Sequence, residues 1–243
     1  MVVISITAAL VALLVPALST AQDSTRRVKC ANHLKQMTIA THCYTQVNNF
    51  LPPSFVVQSQ PQHWAALLTE HVNGVAMTFD DAGTPLGVNL PIFQCPDARL
   101  PNTGPSLRHC HYSAHQVLMP RRLNSGKWTG SMYKLSRIQR QNEVILFADG
   151  VQTDEPGERG NAGHAYPSFK NIIEIESSGG GLQPKYYDPV DEGDYPNVDA
   201  EAYHGHIRYR HQSNGSTNAA FVDGRVATIK RGEIKKFNIR TNP

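Results

Sequence analysis

Apolar side chains fill the start of the chain almost without interruption. From Met1 to Leu18 there is no charged residue, and Arg26-Arg27-Val28-Lys29 follows shortly after. At 1.5 Å rise per residue, eighteen helical residues span about 27 Å, close to the roughly 30 Å hydrocarbon core of a bilayer. Beyond the apolar run the pattern changes but stays helical. Leu34, Met37, Thr41, Tyr44 and Asn48 recur at three- and four-residue spacing with polar residues between them. Neither Gly nor Pro interrupts until Pro52-Pro53, save Pro16 inside the apolar half. The pattern predicts one helix from about residue 2 to about residue 48, lipid-like in its first half and amphipathic in its second.

The rest of the chain reads as short strands. Glu143 to Ala148 is rich in β-formers and closes on Asp149-Gly150, a turn signal. His206 to Arg210 alternates, with Ile207 and Tyr209 on one face. Ala219 to Val222, Asp223-Gly224 and Arg225 to Ile229 read as a hairpin closed by a tight primed turn. Gly179-Gly180-Gly181 and the stretch from Asp188 to Glu201 read as long surface loops. The fold class is α+β. A long N-terminal helix, its apolar half protruding and its amphipathic half packed, lies on an antiparallel sheet. The division expected is an apolar half over residues 1–25 and a globular domain over 26–243.

Three readings compete for the apolar run. A cleavable signal peptide has a small-residue site such as Ser19-Thr20-Ala21 but also a basic n-region, and nothing before Asp23 is charged. A core helix would need cover on every side. A membrane helix fits best, since Pro16 is better tolerated in lipid than in a soluble helix.

Composition changes this picture little. The chain has 243 residues and a formal charge of +3, so one domain is expected and no nucleic-acid partner is indicated. The basic tail of Lys230, Arg231, Lys235, Lys236 and Arg240 accompanies no nucleic-acid module and reads as a solvated end or a contact for anionic headgroups.

The chain resembles a known family. Arg26-Arg27-Val28-Lys29-Cys30-Ala31-Asn32-His33-Leu34-Lys35-Gln36-Met37, following the apolar run, is similar to the N-terminal stalk of type IV pilin-like proteins. It is most similar to a large bacterial pseudopilin-like family of unknown function. Further matches follow in order: Phe50-Leu51-Pro52-Pro53, Trp64-Ala65-Ala66-Leu67-Leu68, Phe93-Gln94-Cys95-Pro96-Asp97, and Val144 to Gly150. The last joins Arg210-His211 to Asn218 through Asp223-Gly224-Arg225-Val226, the family's C-terminal His-to-Asp-Gly motif. The resemblance implies a pilin-like roll with long loops. It also implies a short basic leader and a Gly-Phe-Thr-Leu-Val-Glu-like processing motif, which are not in this chain and which upstream codons are expected to encode. A basic leader would offset Arg26, Arg27, Lys29 and Lys35, which by the positive-inside rule alone would hold the domain in the cytoplasm.

An exported domain favours disulfides. Cys30 and Cys43 lie on one helix about 20 Å apart, too far to pair with each other. Cys30 with Cys95 is the first expectation, because both fall in motifs matched to the family, and Cys43 with Cys110 the second; buried free thiols are the other reading. His109, Cys110, His111 and His115 cluster, and His204 and His206 share a strand face, but neither spacing is a zinc pattern. His211 is expected to hydrogen-bond near the Asp223-Gly224 turn. No metal or cofactor is expected. The acidic loop containing Asp188, Asp191 and Asp194 offers calcium only a poor site, because it lacks EF-hand spacing. Ser113 lies between His111 and His115 without a Gly-x-Ser-x-Gly elbow, and no phosphate loop or His-Glu-x-x-His motif occurs. The chain therefore reads as non-enzymatic.

What the resemblance implies is a pseudopilin-like subunit of a type II secretion or type IV pilus-like assembly. It would be a single-pass inner-membrane protein with its domain on the periplasmic or exterior side, and it would meet other pilin-like subunits through the N-terminal helix. The alternative is an exported or membrane-anchored protein that binds a solute or envelope component.

Overall fold

A computed structural model describes residues 2–56, 62–74, 78–79, 85–86, 90–99, 110–122, 125–152, 196–199 and 206–239. The expected N-terminal helix is one element, α1, Val2–Asn48. It passes through Pro16 and ends where Asn49 turns to φ 63° ahead of Leu51-Pro52-Pro53. A second helix, α2, spans Trp64–Asn73. His63 caps its start by accepting from the Ala65 N–H, and Gly74 ends it in the left-handed region at φ 72°, donating to the Glu70 carbonyl.

The strands in chain order are β1 Phe55–Val56, β2 Gln62–His63, β3 Thr78–Phe79, β4 Pro85–Leu86, β5 Tyr112–Ala114, β6 Arg121–Arg122, β7 Ile145–Asp149, β8 Ser216–Phe221 and β9 Val226–Lys230. The principal sheet is antiparallel throughout, in the order β5-β7-β8-β9. A long helix on a four-stranded antiparallel sheet makes the fold α+β.

Every residue of β7 and β8 is buried. A two-faced core explains this. On one face Cys30, Leu34, Met37 and Ala40 of α1 pack with Trp64, Phe93, Tyr112, Phe147 and Val222. On the other, Ile145, Ala148, Tyr209, Ala219 and Phe221 pack with Ile234 and Ile239. Both faces being apolar, β7 reads as a continuous hydrophobic run rather than an alternating one.

Several expectations are corrected. Asn48 is exposed and bonds the Tyr44 carbonyl, so the buried stripe of α1 ends before it. Asp149-Gly150 is no turn, because Asp149 is the last residue of β7 and Gly150 continues by bridging Ile207. His206 to Arg210 is not a laddered strand. Arg208 and Arg210 are buried beside Ile207 and Tyr209 because carboxylates meet them, which cancels the alternation. The β8–β9 hairpin forms, but its loop has three residues, Val222 to Gly224, since the Phe221 N–H bonds the Arg225 carbonyl. Only Gly224 has positive φ, at 88°, so the connection is a type I turn closed by a left-handed glycine and not a primed turn.

Candidate functional site

Two features of the molecule ask for a functional account: the apolar half of α1 and a polar cluster buried under its other half.

The apolar half has no protein cover. Val3, Ile4, Leu13 and Leu14 are 66–73 % exposed, and Leu10, Val11, Val15 and Leu18 are also open. The most apolar eighteen-residue window of α1 has mean hydropathy 2.2 and is wholly unburied. That removes the core-helix reading: the segment is long and apolar enough to span a membrane or to serve as a signal. The hydroxyls of this half bond back into the helix, Thr7 to the Val3 and Ile4 carbonyls and Thr20 to the Pro16 carbonyl, the usual arrangement for threonine within a helix.

The amphipathic half is tied down by polar contacts as well as packing. The Lys35 ammonium donates to the Gly224 carbonyl at 2.7 Å, His42 Nε2 donates to the Val222 carbonyl at 2.7 Å, and the Asn218 amide donates to the Arg27 carbonyl at 3.0 Å. Arg26 reaches Asp97 at 2.5 Å and also pairs with Asp23. The helix is thus fixed to both the hairpin and the loop after Phe93.

Beneath it four elements deliver four side chains to one point. α1 brings Cys30, and the turn after the 3-10 helix Pro91–Phe93 brings Cys95. β7 ends on Asp149. The reversal before β8, where Gln212, Ser213 and Asn214 all take positive φ, brings His211. Their ligand-type atoms all lie within 4.8 Å of one another and all four residues are buried. Cys30 Sγ is 3.4 Å from Asp149 Oδ1, His211 Nε2 is 3.1 Å from Asp149 Oδ2, and Cys95 Sγ is 3.8 Å from His211 Nε2.

The surroundings orient each group. Asp149 Oδ2 accepts from the Asn218 N–H at 3.0 Å and the Thr217 hydroxyl at 3.3 Å, and Arg210 Nε is 3.7 Å from Oδ1. The Tyr112 hydroxyl donates to Cys30 Sγ at 3.3 Å. His211 Nδ1–H donates to Asp97 Oδ2 at 2.5 Å. Titration follows from these contacts. Burial opposes the charged form of His211, but Asp149 and Asp97 outweigh it and push its pKa up to about 12. Burial would raise Asp149, yet His211 and Arg210 hold it down at about 2. Burial drives the Cys30 thiol well up; it would raise Cys95 too, but the neighbouring Cys30 thiol, with His211 and Arg210, holds Cys95 below its ordinary value.

The structure sorts the expected site residues. Cys30 and Cys95 do meet, but as unbonded thiols flanked by Asp149 and His211. The Cys43–Cys110 pairing fails on burial: Cys43 is exposed on α1 while Cys110 is wholly buried, its thiol raised by that burial and bonded to the Tyr112 carbonyl. His211 is not a partner of the Asp223-Gly224 turn. The six residues of β8 separate them, and the histidine serves Asp97 and Asp149. His111 accepts from the Cys95 N–H, while His115 donates to the Ile239 carbonyl, so the two do not converge. Ser113 is buried on β5. Asp188, Asp191, Asp194, His109 and His204 lie outside the described residues. From the same acidic stretch, Asp199 meets Arg208 at 3.2 Å and Arg210 at 3.7 Å. Sequence reasoning missed Asp149, Asp97 and Tyr112. The available signal was that Cys95-Pro96-Asp97 and Ala148-Asp149 stand in motifs beside Cys30 and His211.

Comparison with known proteins adds a family and no activity. The model of a family described as "Protein of unknown function (DUF1559)" matches residues 19–173. That span includes Cys30, Cys95 and Asp149 and stops before His211. No curated protein and no solved structure matches the chain.

Proposed function

The chain belongs to the DUF1559 family, and from that premise we propose that it is a non-enzymatic, pseudopilin-like subunit. α1 tethers it to the inner membrane, and its globular domain stands on the periplasmic or exterior side. The system it serves is of the type II secretion or type IV pilus-like kind, and its partners are other pilin-like subunits that pack against α1. The observation that carries this reading is the division of one continuous helix. Its apolar half is bare on all sides, and its other half is locked into the core by Cys30, Leu34 and Met37. A helix built this way transmits force between membrane and domain, and its bare half offers a continuous surface to lipid or to like helices.

A second reading, an anchored protein that binds a solute or envelope component, has one observation in its favour. A polar cleft of about 490 Å³ opens beside α1, lined by Asp23, Arg26, Asp97, Arg99, Arg210 and Asn214.

Cys43 provides the test. It is the only exposed cysteine of the four, so a membrane-impermeant maleimide applied to spheroplasts reads the side on which the domain stands. Labelling of Cys43 in intact spheroplasts, together with a photo-crosslink from position 10 to a second pilin-like subunit, is the expected result. Labelling only after lysis would reverse the topology. Crosslinks to lipid alone would favour the binding reading.

A further inference from the structure

We propose that Cys30, Cys95, Asp149 and His211 form a tetrahedral zinc site that fastens the amphipathic half of α1 to the sheet. The argument begins with geometry. Zinc bonds of about 2.3 Å to sulfur and about 2.0–2.2 Å to nitrogen and oxygen make a tetrahedron whose ligand–ligand edges are roughly 3.3–3.8 Å. Cys30 Sγ lies 3.4 Å from Asp149 Oδ1, Asp149 Oδ2 lies 3.1 Å from His211 Nε2 and His211 Nε2 lies 3.8 Å from Cys95 Sγ, and one donor atom from each residue lies within 4.8 Å of the others. The four donors therefore need to close in by about 1 Å or less to reach the corners such an ion takes.

The donor set is also right. Two thiolates with an imidazole and a carboxylate match the ligand types zinc takes, and soft sulfur excludes magnesium and calcium. A disulfide accounts for the sulfurs alone. It leaves unexplained why a buried carboxylate and a buried imidazole are turned onto them.

The outer contacts have the form that metal sites use. A ligating histidine donates its other ring N–H to a carboxylate, and here His211 Nδ1–H meets Asp97 at 2.5 Å while Nε2 faces the cluster. Asp149 is held by the Asn218 N–H and the Thr217 hydroxyl, and Cys30 by the Tyr112 hydroxyl. Arg210, 3.7 Å from Asp149, offsets the net negative charge that two thiolates and a carboxylate leave on the zinc. Binding is a proton exchange. Zn²⁺ enters as Cys30 and Cys95 each release the thiol proton and His211 releases the proton on Nε2, while the proton on Nδ1 stays there and donates to Asp97. No oxidation is involved. Because all four positions are filled by protein, the site holds structure together and performs no chemistry.

The test uses the full chain, extracted in detergent under anaerobic, reducing conditions. Metal analysis should find one zinc per chain. Replacing it with Co²⁺ should give tetrahedral d–d bands and thiolate-to-metal charge-transfer absorption. Cys95→Ser should remove about half of the charge-transfer intensity, because Cys30 remains as the second thiolate, Asp97→Asn should weaken Zn²⁺ affinity roughly 10- to 100-fold, and Cys43→Ser should change neither. The wild-type Co²⁺ spectrum decides the matter even if a variant fails to fold. Folded, reduced wild-type protein that takes up neither ion would overturn the proposal. So would charge-transfer intensity that is undiminished in Cys95→Ser, bands that vanish in Cys43→Ser, or a Cys30–Cys95 disulfide in protein alkylated at the moment of cell lysis.

Discussion

His115 shows what burial does to a single side chain. Its Nε2–H donates to the Ile239 carbonyl at 2.6 Å, and its Nδ1 accepts from the Leu118 N–H at 3.3 Å. Both nitrogens are used by the neutral ring, and burial lowers its pKa from 6.5 to about 4. The folded pKa is depressed, so the stability it contributes is present above pH 6.5 and is lost as pH falls from there towards 4. A shift of that size is worth roughly 3 kcal/mol. Thermal melts between pH 7 and 4 should show Tm falling with acid, and His115→Gln should flatten the slope. Equal slopes in both proteins would assign the loss to other groups. Gly224 makes a second residue-scale case. At φ 88° it closes the hairpin, and its carbonyl receives Lys35. Gly224→Ala should cost about 1–2 kcal/mol from left-handed strain, read as a lower denaturant midpoint at unchanged m.

At the scale of elements, α1 is one helix performing two tasks, and its faces should respond differently to the same substitution. Leu34 is wholly buried against the sheet, whereas Ile39, five residues on, is 52 % exposed. Leu34→Ala should destabilise by about 2–5 kcal/mol through lost burial and a cavity. Ile39→Ala should stay within about 0.5 kcal/mol. Chemical denaturation of the two variants compares them directly, and similar losses would mean that the outer face of α1 is covered in solution. The polar ties from Lys35, His42 and Asn218 fix the register of the helix along the hairpin. The packed face alone would leave that register to shape complementarity.

For the whole molecule, the two halves of α1 predict a separable stalk. The described residues before Asp23 contribute nothing to the core, since all of those with a described side chain are exposed. Deleting residues 1–25 should leave a soluble domain that unfolds cooperatively, while the full chain sediments with membranes and resists carbonate extraction. A truncated form that aggregates without a cooperative transition would show that the apolar half is needed to complete the fold. The domain does keep its own two-faced core of α1, α2 and the four-stranded sheet, which is why independence is expected.

The long helix, its division into two halves and the closing hairpin are local patterns, and each was legible in the residues. Three- and four-residue spacing, the uncharged run before Asp23 and the Asp223-Gly224 turn act through near neighbours, so a linear reading finds them. The strand at 206–210 and the supposed turn at Asp149-Gly150 were misread because distant partners decided them. Asp199 and Asp149 make burial of Arg208 and Arg210 tolerable, and pairing with Tyr112 keeps Asp149 in the sheet. The buried cluster was further out of reach. Its four groups lie at positions 30, 95, 149 and 211, on a helix, a loop turn, a strand end and a left-handed reversal, and no spacing rule joins them. The sequence determined which side chains were available and which half of α1 seeks lipid. Only tertiary packing, by docking α1 across β7 and β8, decided that two thiols, a carboxylate and an imidazole would share one water-excluded point.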